Sequence, residues 1–205
     1  MRNATRVMLI TSLALAAIAC TARGAAPGTA PGEPLSGTLE ASASRVSFQA
    51  HDPLETIDGT LPATAGVVRF DPLQPSRAYA SVSLDPSGID TGNALRDTNA
   101  RRALLHVESY PSVVYRLDGV TLTGGALPAG STTGFTARGR LTLVGVTRSV
   151  SVTGTVVRSQ QRLIVDATFP IRLTDFGLKP PRFLFITVAD DVTVTIHLVF
   201  DLASP

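Results

Sequence analysis

The clearest pattern along the chain is alternation with a period of two. Val192, Val194, Ile196, Leu198, Phe200 and Leu202 share one face, and Thr193, Thr195, His197, Val199 and Asp201 share the other. Alternation sustained over residues 192–202 predicts a half-buried strand. The same period recurs through residues 135–143, 163–171 and 78–84, and more briefly through 113–117, 46–50 and 66–70. Residues 93–107 break it. They contain no Gly, no Pro and no β-branched run, and predict a short helix with Leu95, Leu104 and Leu105 as packing residues. Seven or eight two-faced strands at short intervals must each bury one face, which makes the fold all-β, a sandwich or a barrel. Alternation alone does not separate a filled barrel from a hollow one that takes an apolar guest.

The N-terminal segment follows other rules. Arg2 and Arg6 precede an uncharged apolar run over residues 7–18, and small residues follow. That is the outline of a secretory signal peptide, expected over residues 1–19. The run is shorter than the ~20 residues a membrane-spanning helix needs. Cys20, the only cysteine, stands directly after Ala17-Ile18-Ala19. The junction resembles a bacterial lipobox, in which the cysteine thiol receives a diacylglycerol and becomes the mature N-terminus. Ala17 and Ala19 also suit ordinary signal peptidase, which would give a soluble secreted protein. The lipoprotein is the preferred reading, because the single cysteine falls on that junction. By the sorting rules of enteric bacteria, Thr21 after the cysteine points to the outer membrane, so the expected location is the periplasm, on an outer-membrane tether. Residues 20–36 are then a lipidated Cys20 with a flexible Ala/Gly/Pro tether, and residues 37–205 one barrel domain.

Charge enters here. The 205 residues carry 18 basic and 16 acidic side chains, a formal +2. Without Arg2 and Arg6, 16 basic residues face 16 acids, scattered through the chain. Nucleic acid is therefore not an expected partner. One cysteine excludes an internal disulfide and a CxxC zinc site. His51, His106 and His197 stand on separate elements without metal-ligand spacing, so no metal is expected. His51 reads as a loop-end residue satisfied by a turn, His197 as solvent-facing, and His106 as a partner of the helix dipole. No Gly-x-Ser-x-Gly occurs. Asp190-Asp191 reads as a solvated acidic pair. No constellation supports an enzyme.

The motifs taken in order carry a resemblance. Val46-Ser47-Phe48 is followed by His51 and by Ile57-Asp58-Gly59. Ser87 to Asp97 reads SGIDTGNALRD, and Tyr110-Pro111 precedes Val113-Val114-Tyr115. Gly139 to Thr147 reads GRLTLVGVT, Leu173 to Leu178 reads LTDFGL, and Ala189-Asp190-Asp191-Val192 follows. Over residues 37–202 this series resembles the YceI-like family of bacterial periplasmic proteins. The resemblance implies a lipocalin-like antiparallel β-barrel of about eight strands, with a long internal pocket for a polyisoprenoid such as an isoprenoid quinone or its precursor. It does not imply the lipocalin family, whose Gly-x-Trp motif a chain without Trp lacks. Where the family often has Arg-Asp-x-His-Leu, this chain has Arg96-Asp97-Thr98-Asn99-Ala100, which leaves Asn99 in place of the histidine.

The expected inward residues are Phe48, Phe70, Val82, Leu84, Tyr115, Leu141, Leu143, Val165, Phe169, Ile171, Phe176, Ile196 and Leu198. Arg96 and Asp97 are placed at a pocket mouth, or else form a surface ion pair. Phe183 to Ile186 is an apolar cluster that would cap a barrel end or form a lid. Two functions follow. One is non-catalytic binding of a polyisoprenoid or similar long apolar lipid, for storage, transport or sensing in the cell envelope. The other is a structural or interaction module with a filled barrel. The expected partners are the lipid itself and the membrane, through the anchor; a homodimer is compatible with either reading, and no cofactor beyond a bound quinone-like lipid is expected.

Overall fold

The computed structural model describes residues 33–183 and 186–203, with side chains at 183 and 186 left aside. The expected leader over residues 1–19, Cys20 and most of the tether lie outside the described residues, as do the side chains of the 183–186 cluster.

The described strands are β1 (Leu35–Leu39), β2 (Arg45–His51), β3 (Thr56–Leu61), β4 (Ala63–Phe70), β5 (Tyr79–Leu84) and β6 (Val113–Leu122). They continue as β7 (Ser131–Leu143), β8 (Val146–Arg158), β9 (Arg162–Arg172), β10 (Arg182–Phe183), β11 (Ile186–Thr187) and β12 (Asp191–Leu202). Every pairing is antiparallel, and the order β1-β4-β5-β6-β7-β8-β9-β12 closes on itself through β1–β12. β2 and β3 extend that ring, because β12 pairs with β2 over Val192–His197 and with β1 over Phe200–Leu202. Thus β1 and β2 form one kinked strand, and β3 and β4 another. The result is a closed eight-stranded barrel, extended by β3, whose outer side meets the connection after β5 through a Thr60–Asp90 bridge.

Local chemistry accounts for the kinks and turns. Pro62, which has no N–H to donate, separates β3 from β4. Between β1 and β2, the Ser44 hydroxyl donates to the Glu40 carbonyl and accepts from the Val199 amide, which returns the chain to β12. β7 and β8 are joined by two residues, Val144 and Gly145, both at positive φ (49° and 72°). That is the backbone handedness a tight hairpin requires.

Two long connections lie at the same end of the barrel: residues 85–112 between β5 and β6, and 173–190 between β9 and β12. The first holds helix α1 (Ala94–Asn99), continued by a π-helical turn through Leu104. Asn93 caps it, its Oδ1 accepting from the amides of Leu95 and Arg96. The helix ends at His106, whose φ of 47° places it in the left-handed region and whose carbonyl accepts from the Ser109 and Tyr110 amides. Of the expected packing residues, Leu105 is buried and Leu104 half-buried, whereas Leu95 is 70% exposed. Leu95 stands in the first turn of α1, at the open end of the barrel, and stays exposed rather than packing.

Candidate functional site

The barrel is hollow. A cavity of about 1080 Å³ runs along its interior, from Leu127 at one end to Leu54 and Leu95 at the other. Phe70, Pro75, Leu122 and Leu127 at the first end are all buried, so that end is closed. The Leu127 amide donates to the Pro72 carbonyl, and Arg158 Nη1 donates to the Leu127 carbonyl at 2.6 Å. The Arg158 guanidinium also stands over the Phe70 ring, 5.9 Å from its centroid, and burial lowers its pKa. At the other end Leu54 and Leu95 are 76% and 70% exposed, which marks the mouth.

Thirteen of the residues expected from the sequence line this cavity: Phe48, Phe70, Val82, Leu84, Arg96, Tyr115, Leu141, Leu143, Val165, Phe169, Ile171, Ile196 and Leu198. Several of them, including Phe48, Val165 and Ile196, are only half-buried although they point into the barrel, because they face open space. In a filled barrel such positions would be covered. Two expected residues lie elsewhere. Asp97 is buried within α1, where its Oδ1 accepts from the Thr91 amide (2.9 Å) and hydroxyl (2.6 Å). It fixes the turn into α1. Phe176 is 2% exposed and belongs with Leu173 and Leu178 to a buried cluster rather than the lining, because the backbone leaves strand geometry at Leu173 and period two no longer applies.

Two lining aromatics lie flat against the wall on cross-strand glycines. Phe48 on β2 is paired with Gly59 on β3, and a Cβ on Gly59 would collide with its ring. Tyr115 on β6 covers Gly139 on β7 in the same way. The Tyr115 phenol is the polar group set furthest from the mouth, and desolvation, then the nearby Asp118 charge, raises its pKa to about 12. The phenol therefore stays neutral at physiological pH.

The remaining polar groups cluster at the mouth: Asp52, Glu55, Thr91, Asn93, Arg96, Asn99, Lys179 and Arg182. Arg96 does not pair with Asp97. Its Nη1 reaches Glu55 Oε1 at 2.5 Å, and its Nε donates to the Thr91 hydroxyl, so it ties the β2–β3 hairpin to the helix. Asn99 is exposed at the rim. Sequence reasoning missed Leu54, and it missed the lining residues Val152 and Val156 of β8, whose inward face is interrupted by Arg148 and Gly154. The signal was the alternation itself, read through those two positions.

The histidines lie off the cavity. His51 Nδ1 meets the Thr56 hydroxyl across its hairpin, and His197 Nδ1 meets Asp166 Oδ1 at 2.6 Å on the exposed barrel surface. Asp190 accepts from the Thr174 amide and hydroxyl and pairs with Arg172, so it caps the turn after β9, and those donors lower its pKa. Among the described residues no three His, Cys, Asp or Glu side chains converge.

The barrel has relatives of known structure. BcnA of Burkholderia cenocepacia superposes with a TM-score of 0.65 at 22% identity, over 78% of this chain and 98% of that one. A polyisoprenoid binding domain from Saccharophagus degradans gives 0.65 at 17% identity, over 82% and 99%. The YCEI protein of Campylobacter jejuni gives 0.59 at 14% identity, over 75% and 90%. At these identities the likeness establishes the fold. No curated relative matches the chain at a significant level. The profile of the YceI-like domain matches residues 38–200, nearly all of the barrel. The chain belongs to the YceI-like domain family.

Proposed function

We propose that this protein is a non-catalytic lipid-binding barrel that holds a polyisoprenoid, or a similarly long apolar lipid such as an isoprenoid quinone or its precursor, inside its cavity. The observation that carries the reading is a closed-ended apolar tube of about 1080 Å³ whose polar groups gather at one mouth. If a methylene-sized group takes about the ~30 Å³ of a liquid water, 1080 Å³ accepts about 35 carbons, or seven five-carbon units. Each Å² of chain taken from water contributes ~25 cal/mol, so several units bind tightly without a charged partner. The polyisoprenoid binding named for the Saccharophagus domain supports the same ligand class. The expected leader and Cys20 support a periplasmic barrel on a lipid anchor at the outer membrane, storing, carrying or sensing the lipid there. Organic extraction of the purified protein followed by mass spectrometry tests the reading. Recovery of a prenyl lipid, or uptake of a long-chain quinone when offered, is expected; neither occurring would overturn it.

A further inference from the structure

We propose that the rim of the cavity mouth is a membrane-docking surface, which seats the open end of the barrel on an anionic phospholipid bilayer. The inference rests on the lipid-binding reading, since a docked mouth lets an apolar chain pass between bilayer and cavity without crossing water. Leu54 and Leu95 have the highest exposures among the large hydrophobic residues described, at 76% and 70%. A single exposed leucine needs no explanation. Two of them flanking the mouth of one apolar cavity, on separate elements, do.

Both are held outward by satisfied polar groups. Asp52 Oδ1 accepts from the Leu54 amide (2.7 Å) and the Glu55 amide (2.9 Å), which fixes the hairpin tip. Asn93 fixes the first turn of α1 beneath Leu95, and the Glu55–Arg96 pair joins the two elements. The leucines thus extend the apolar lining beyond the barrel as a preformed lip, with little left to order on docking.

The charges around them suit an anionic surface. Glu55 is neutralised by Arg96, and Asp97 is buried on Thr91. Arg101 and Arg102 follow on the same helical segment, and Lys179 and Arg182 stand exposed on the facing connection with no ion pair among the described residues. Among the charged residues that line the mouth, Arg96, Lys179 and Arg182 face Asp52 and Glu55, an excess of one positive charge. Apart from Arg2, Arg6 and Arg23, which precede residue 33, the 15 remaining basic residues face 16 acids. Two leucines are too few for a stable protein interface, but an apolar lip flanked by Lys179 and Arg182 fits the headgroup region of an anionic bilayer.

An environment-sensitive nitrobenzoxadiazole label reports the contact by position, whatever the N-terminus does. In the full chain carrying Cys20→Ala, the label is attached at Leu54→Cys, Leu95→Cys or, at the closed end, Ala129→Cys. Vesicles of phosphatidylglycerol and phosphatidylcholine should shift the emission to the blue at positions 54 and 95 and leave position 129 unchanged. Lys179→Gln together with Arg182→Gln should raise the lipid needed for half the response about thirtyfold. No shift at 54 and 95, an equal shift at 129, or a response indifferent to the two neutralisations overturns the docking surface. Uptake of a prenyl quinone from detergent micelles is measured on the unlabelled Cys20→Ala protein. Uptake without a vesicle response removes the docking surface and leaves the lipid-binding reading; a vesicle response without uptake removes that reading.

Discussion

Ala80→Phe separates a hollow barrel from a filled one in a single protein. Ala80 lies on β5 opposite Val68, half-buried, with its side chain in the cavity wall. Phenylalanine adds six carbons there, and at ~30 Å³ for each methylene-sized group that is ~180 Å³, about one-sixth of the 1080 Å³ present. Forced into a filled core, the same ring would cost ~1–3 kcal/mol through displaced neighbours. In a domain of this size that corresponds to a fall in Tm of ~2–12 °C. In the hollow barrel the ring meets space and covers apolar wall, so Tm should hold or rise slightly. The volume removed equals about one five-carbon unit of guest. The longest prenyl alcohol retained from a graded series should therefore shorten by about one unit, read by extraction and mass spectrometry, beside calorimetric Tm values. A clear fall in Tm with the length limit unchanged would refute the reasoning, because the ring would then have met packed side chains.

Other perturbations act on the same wall. Gly139→Ala places a methyl group against the Tyr115 ring and 2.6 Å from the Arg116 carbonyl oxygen; chemical denaturation should show a loss of ~1–3 kcal/mol, only partly restored by adding Tyr115→Ala, because the backbone contact remains. Tyr115 holds its proton up to about pH 12 in the folded barrel, whereas an unfolded phenol releases it near its ordinary value of 10. Its contribution to stability should thus be complete below pH 10 and disappear between pH 10 and 12, and Tyr115→Phe should flatten that part of the stability–pH curve. Cys20→Ala should move the protein from the membrane to the soluble fraction of the producing cells; unchanged fractionation would overturn the lipid anchor.

Strands whose inward positions are uninterrupted were legible from the pattern, above all β12 and β9. The strands that were hard to see are those whose inward face carries a glycine or a charge. β8 presents Arg148 and Gly154 among its valines, β3 presents Gly59, and the five-residue β1 has Gly37 at its centre. Asp97 and Phe176 sit just where strand geometry gives way to helix or turn, and there the rule of two fails. The mouth was least legible. Leu54 is one apolar residue among Asp52, Pro53 and Glu55, and only folding brings it beside Leu95, some forty positions along the chain.

Hollowness left a trace in the sequence, though not in the alternation, which is the same for a filled barrel. Eight strands enclose an interior that side chains can just fill, so a cavity requires that the inward set be small or lie flat. Here it does both. Ala50, Ala78, Ala80 and Ala137 keep the wall thin, and the aromatic rings of Phe48 and Tyr115 occupy the places that side chains on Gly59 and Gly139 would have taken. A glycine within a strand ordinarily weakens it, since it offers nothing to pack and more chain entropy to lose. Placed across from an inward aromatic, it lets the ring fold onto the wall and leaves the axis of the barrel open. Gly59, which obscured β3 as a strand, and Gly139 are therefore the positions that distinguish a binding cavity from a core.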